Sequence, residues 1–119
     1  MIELIAVPAD NVVGIRVAGK IEKADIERVM LAVEKKLASH AKLRIYVEVD
    51  GVQGISLEAF LKDLRFGLPH VRDFEKKAVV SDSKWLEIFV ALGDKLFPSI
   101  EVRHFASTER AQALEWVQS

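Results

Sequence analysis

Residues 43–68 read LRIYVEVDGVQGISLEAFLKDLRFGL. Leu43, Ile45, Val47 and Val49 alternate with Arg44, Tyr46 and Glu48, the two-residue period of a strand. The apolar set defines one covered face; the other face is only partly covered, or packs through Tyr46 alone. Asp50-Gly51 and Gly54 break the strand, and Ser56 has the chemistry of a helix N-cap. Leu57, Phe60, Leu61, Leu64 and Leu68 then share one helical face, which Pro69 brings to an end, and Phe66 lies on the opposite side. A strand that hands over to a helix through small residues is where open α/β sheets place their ligands.

Upstream, Ile2 to Val7 and Val12 to Ala18 are short β-rich runs separated by Pro8-Ala9-Asp10-Asn11, the chemistry of a hairpin turn. In the second run Val13, Ile15 and Val17 alternate with Gly14, Arg16 and Ala18. A helix is expected over about Glu22 to Ser39, because Ile26, Val29, Met30, Val33 and Leu37 form a single stripe. Glu22, Asp25 and Glu27 suit its positive N-terminal end, and Lys35, Lys36 and His40 its C-terminal end.

Downstream, Lys76 to Ser81 reads as a strand approached by the charged stretch Arg72-Asp73-Phe74-Glu75. Asp82 or Ser83 caps a third helix, Lys84 to about Leu96, whose Trp85, Leu86, Ile88, Phe89, Val90, Leu92 and Leu96 cover more than one core-facing stripe. Ile100 to Phe105 alternates like an edge strand. Ser107 or Thr108 caps a last helix in which Ala111 and Leu114, with Trp116 and Val117, turn inward. The order ββαβαβαβα predicts an α/β domain over residues 1–119, with a five-stranded mixed sheet flanked by helices.

Bulk composition narrows the function classes. A chain of 119 residues, 50% hydrophobic and 29% charged, makes one core. Its 17 basic and 18 acidic residues are interspersed, so there is no basic stripe for nucleic acid. Without cysteine there is no disulfide or thiolate chemistry, which fits a reducing compartment. IELIAV after Met1 is short for a signal sequence, and no apolar run nears the roughly 20 residues of a membrane span. A cytoplasmic protein is the expectation.

Chemistry is sparse. His40, His70 and His104 lack metal-ligand spacing and read as surface residues, and no nucleophile motif or phosphate-binding glycine loop is present. Asp50-Gly51 and Asp82 fall at the carboxyl ends of adjacent strands, where two carboxylates hold a cation or do acid–base work, or else simply make a turn and start a helix. Ser56 is a helix cap or a phosphate acceptor. Trp85, Ile88 and Leu92, displaced from Leu86, Phe89 and Val90, add apolar surface together with Phe66. That surface packs under Phe97 and Trp116, forms an interface, or lines a pocket for an apolar ligand.

Three segments, VEVD at 47–50, AVVSDSKW at 78–85 and VRHF…ERAQALEW at 102–116, resemble the SpoIIAA-like branch of the STAS superfamily. The resemblance implies an open mixed sheet flanked by helices. In the anti-sigma-factor-antagonist members, a kinase partner phosphorylates a serine in an Asp-Ser pair after the central strand; Ser56 corresponds best, with Ile55 in place of the aspartate. The branch is also similar in fold to lipid-binding domains of the CRAL-TRIO type. The expectation is a non-enzymatic regulatory or protein-interaction module, binding a protein partner or a second copy, with no cofactor and no metal. Its contacts are expected at Asp50, Gly51, Phe66, Asp82, Trp85, Ile88 and Leu92. The alternative is a small carrier or sensor of an apolar, lipid-like ligand held between sheet and helices.

Overall fold

A computed structural model describes residues 1–19, 22–50, 74–82 and 101–119. They form a five-stranded sheet from β1 (Ile2–Ile5), β2 (Val12–Ala18), β3 (Leu43–Asp50), β4 (Phe74–Val80) and β5 (Glu101–Phe105). The strands lie side by side in chain order, β1 antiparallel to β2 and every later pair parallel. Helix α1 (Lys23–Leu37) follows β2, and a 3-10 turn (Ser107–Glu109) leads from β5 into helix α2 (Arg110–Gln118). The helices expected over 56–68 and 84–96 lie outside the described residues.

The hairpin closes where Val12 N–H donates to the Ala9 carbonyl at 3.2 Å, and β1 stops at Ile5, two residues short of the expected end. Gly14 stands opposite Ile5, and a Cβ there would meet the Ile5 carbonyl oxygen at 2.7 Å and Val7 Cγ2 at 2.8 Å. Beyond the turn, Asp10 draws the end of α1 toward the hairpin: its carboxylate lies 2.8 Å from His40 Nε2, and its carbonyl accepts from Lys36 Nζ at 2.9 Å. The His40 hydrogen bond, with the Lys36 charge behind it, lowers the Asp10 pKa.

At the other end of α1, Asp25 does more than complement the helix dipole. It is buried, accepts from the N–H of Glu22 at 2.9 Å and of Ile2 at 3.3 Å, and pairs with Arg28. The Glu22 amide and then the Ile2 amide hold its carboxyl below the usual value against the opposing effect of burial. One side chain thereby ties the start of β1 to the start of α1.

Each face of the sheet carries its own core. Ile2, Val13, Ile15, Val17, Leu43, Val47, Phe74 and Val79 meet Val29 and Val33 of α1 on one side. On the other, Val12, Tyr46, Ala78 and Val80 meet Ala113 and Val117 of α2. Tyr46 is therefore fully buried, and the β3 face expected to be only partly covered is closed by α2. Phe74 reaches the α1 side through a bulge: Leu43 pairs with Phe74 but Arg44 with Lys76, so Glu75 is the extra residue. The strand accordingly starts at Phe74, inside the stretch read from sequence as its charged approach.

Helix α2 is rotated from the expected orientation. Ala113 and Val117 are buried and Leu114 and Trp116 partly so, whereas Ala111 is exposed. The i, i+4 pair Ala113–Val117 is small enough for close approach to Tyr46 and Ala78, and burying such a valine contributes about 1.5–3 kcal/mol. Trp116 then lies along the sheet with Phe105 at 6.0 Å between ring centroids, Lys76 Nζ at 5.1 Å and Arg103 Cζ at 5.4 Å. Neither Ser107 nor Thr108 acts as a cap: the Glu109 carboxylate accepts from Ala106 N–H at 2.8 Å, and the Ser107 hydroxyl is directed elsewhere.

Candidate functional site

The carboxyl ends of β3 and β4 lie side by side, with Glu48 opposite Val80, so Asp50 and Asp82 emerge at the same edge as expected. Asp50 is exposed and makes no ion pair among the described residues. Asp82 is engaged. One carboxylate oxygen accepts from Ser107 N–H at 2.9 Å and the other from Ser107 Oγ at 2.6 Å. These two bonds, with smaller contributions from Arg110 and His104, lower the Asp82 pKa. The Asp82 carboxylate clasps the turn that leads into α2, and the helix it is expected to start lies outside the described residues.

His104 strengthens the same junction. Its Nε2 lies 2.7 Å from the Ser81 carbonyl, and Ser81 N–H donates to the Phe105 carbonyl at 2.9 Å. The expected surface histidine is thus a partly buried tie between β4 and β5.

Beneath the edge, on the α2 side, lies a buried carboxylate. Glu48 accepts from the Tyr46 hydroxyl at 2.7 Å and from Arg16 Nε at 3.1 Å, and Arg110 Nε stands 3.6 Å away. Burial, then the Glu48 carboxylate, drives the Tyr46 hydroxyl pKa strongly upward, so it remains a donor. Two arginines from β2 and α2 thereby converge on one glutamate of β3. The alternation in VEVD marks Glu48 as facing away from Val47 and Val49; only the arrival of α2 makes that position interior.

The opposite sheet face holds a residue whose setting the sequence reading missed. Lys77 stands opposite Ile45 and Val102 on the side of the α1 core, is partly buried, and has no hydrogen-bond or ion-pair partner among the described residues. Desolvation lowers its pKa to about 8. Adjacent lysines at the head of an apolar strand were the available signal, since one of Lys76 and Lys77 must face each side.

Gly51, Ser56, Phe66, Trp85, Ile88 and Leu92 lie outside the described residues. Among the described residues no cluster of His, Asp and Glu has the makings of a metal site, and no helix is long and apolar enough to cross a membrane.

Comparison with solved structures gives an uncharacterised protein of the DUF3478 family with a SpoIIAA-like fold from Shewanella loihica PV-4, at a TM-score of 0.70. The two share 20% identity over 98% of this chain and 92% of the other, a likeness that carries the fold. A search of curated proteins finds no match. The family model described as SpoIIAA-like matches residues 12–118, from the first residue of β2 to the last of α2. With its mixed five-stranded sheet and a helix on either face, this chain belongs to the SpoIIAA-like family, within the STAS-like superfamily.

Proposed function

We propose that this protein is a non-enzymatic regulatory module of STAS-like type that engages a protein partner or a second copy of itself. The observation that supports this reading is the use made of the polar groups at the strand ends. Both oxygens of Asp82 hold Ser107, and Glu48 is enclosed by Tyr46, Arg16 and Arg110. These groups brace β2, β3, β4 and α2 into a platform, and no catalytic residue or cofactor enters the reading. Asp50 stands exposed on the platform rim, where the chain leaves β3 toward Gly51 and Ser56. From the sequence, the contact residues also include Phe66, Trp85, Ile88 and Leu92, the apolar residues beyond the needs of a single helical stripe.

The test is light scattering over a concentration series, with cross-linking in cell extracts, for the wild type and the Phe66→Ala/Trp85→Ala variant. A complex formed by the wild type and lost in the folded variant is expected. A complex unchanged in the variant removes this surface, and a wild type that forms none overturns the module reading.

A second reading, a carrier of an apolar ligand, is favoured by one observation, the partly buried Lys77 amine beside Ile45 and Val102, without a hydrogen-bond or ion-pair partner among the described residues.

A further inference from the structure

The outer edge of β1 is closed only in part. Ala18 N–H donates to the Met1 carbonyl at 2.9 Å, and bonded and non-bonded pairs alternate along an antiparallel ladder. Met1, Glu3 and Ile5 therefore turn their backbone groups toward β2, and Ile2 and Leu4 turn theirs outward. At Ile2 helix α1 takes both: the N–H donates to Asp25 at 3.3 Å, and the carbonyl accepts from Arg28 at 3.0 Å. At Leu4 neither the N–H nor the carbonyl has a partner among the described residues, and the side chain is 55% exposed.

Beside Leu4 a cleft of about 180 Å³ opens between the hairpin and α1, with Leu4, Ala6, Val7, Val13, Ala32 and Lys36 in its lining. An apolar cavity of about 150 Å³ holds one benzene, so this cleft has room for one apolar side chain. Arg28, Ala32 and Lys36, each four residues from the next, form one stripe of α1. The stripe runs along β1, since Arg28 meets the Ile2 carbonyl and Lys36 lines the cleft with Val7. Its middle residue is small, which leaves the cleft open, and each end carries a cation. Arg28 bonds through Nη2 alone among the described residues, which leaves Nε and Nη1 available. Lys36 Nζ donates to the Asp10 carbonyl at 2.9 Å, while the Asp10 carboxylate, 3.7 Å from it, lies closer to His40.

We propose that the β1 edge takes an extended peptide as an antiparallel sixth strand, of the pattern acidic–x–apolar–x–acidic. Antiparallel pairing lets one residue bond both Leu4 backbone groups and share the Leu4 face, and that residue is the apolar one that fills the cleft beside Ala32. The two carboxylates, on the same face, reach Arg28 and Lys36. The lengths agree: eight helical residues rise about 12 Å, and four residues of strand span about 13 Å. The edge of a second copy lacks this pattern, because its acid, Glu3, is adjacent to Leu4 and so lies on the other face. The site is at the Val12 end of β2, whereas Asp50 pairs with Ala18 at the other end. It is a surface additional to the Asp50 rim, and its failure leaves the reading of that rim standing.

The experiment is nuclear magnetic resonance titration of the full chain with the peptide acetyl-Thr-Glu-Thr-Leu-Thr-Glu-Thr-amide. Saturable shifts at Leu4 and Ala32, and slowed hydrogen exchange at the Leu4 amide, are expected. Ala32→Leu, which fills the cleft, is expected to lose about tenfold or more in affinity. The same loss is expected for a peptide with lysine in place of both glutamates, and for one N-methylated at its leucine. Both altered peptides are tested on the wild type, so they do not depend on the folding of Ala32→Leu. A wild type that does not bind the glutamate peptide overturns the proposal, as does equal affinity for the glutamate and lysine peptides. Acetyl-leucine-amide binding as tightly as the whole peptide makes the cleft a small-ligand site and overturns the added strand. A peptide-free dimer that Ala32→Leu abolishes assigns the edge to a second copy and overturns it too.

Discussion

Arg44 on β3 reaches the C-terminal end of α2, donating from Nη1 to the Val117 carbonyl at 2.9 Å. The same nitrogen contacts the Ser119 carbonyl at 2.8 Å, while Nε donates to Glu75 at 2.7 Å. No basic residue lies in the last turn of α2, so a strand supplies the positive charge that a helix C-terminus favours. Arg44→Met is expected to lower stability by about 1–3 kcal/mol, because charge-assisted bonds to otherwise unpaired carbonyls are lost. Urea unfolding followed by circular dichroism measures it, and a change near zero would show that the Ala113–Val117 packing holds α2 unaided.

Among the described residues Tyr46 is the largest fully buried side chain, and its hydroxyl bonds only to Glu48. Tyr46→Phe keeps the ring packing and removes one donor from a buried carboxylate, an expected loss of about 1–3 kcal/mol. Glu48→Leu is expected to cost more, since it strands the Tyr46 hydroxyl in the core. Equal stability of all three proteins would refute this account of the network.

The Lys77 amine fixes the sign of a pH dependence. Its folded pKa of about 8 lies below the ordinary 10.5, so between these values the unfolded chain binds more protons. Stability is therefore expected to rise from about pH 8 toward pH 10, and below pH 8 the burial penalty is present in full. Tyr46 acts oppositely above about pH 10: the unfolded hydroxyl ionises there while the folded one keeps its proton. Lys77→Met is expected to be the more stable protein at pH 7 and to lack the rise between pH 8 and 10. Chemical unfolding at several pH values reads both, and parallel profiles for the two proteins would contradict the assignment.

Gly14 allows β1 to cross β2 closely. Gly14→Ala would force a Cβ to 2.7 Å from the Ile5 carbonyl oxygen, a backbone atom in the paired strand, so relief requires the hairpin to shift. A loss of about 1–3 kcal/mol is expected from this overpacking, measurable as a lower thermal midpoint. An unchanged midpoint would mean that the first strand yields freely.

Period and turn chemistry locate α1 and β2 well, because a stripe of five apolar residues and an alternating run are local patterns. The ends of β1 and β4 were harder to place. Ala6 and Val7 look like strand but run past the residues of β2 that pair with it, and Phe74 joins β4 only by way of the Glu75 bulge. At the site, the adjacency of Asp50 and Asp82 follows from alternating strands and helices, yet the partner of Asp82 does not. Ser107 lies 25 residues away and reaches it only because β5 pairs with β4.

The sequence by itself determined the five strands, the helix after β2, the apolar faces of β2, β3 and α1, and the family, since all of these are written in short periods and ordered motifs. Tertiary structure decided which polar residues became interior. Tyr46 and Glu48 read as half-solvated until α2 closes over them, and Lys77 reads as one of a charged pair until Ile45 and Val102 are set beside it. The physical reason is that the charge and hydration of a side chain depend on what the rest of the chain brings against it, and neighbours on adjacent strands are remote in sequence. The 43–50 strand keeps its place at the centre of the sheet, with the buried Tyr46–Glu48 pair on one face and the apolar Ile45 beside Lys77 on the other.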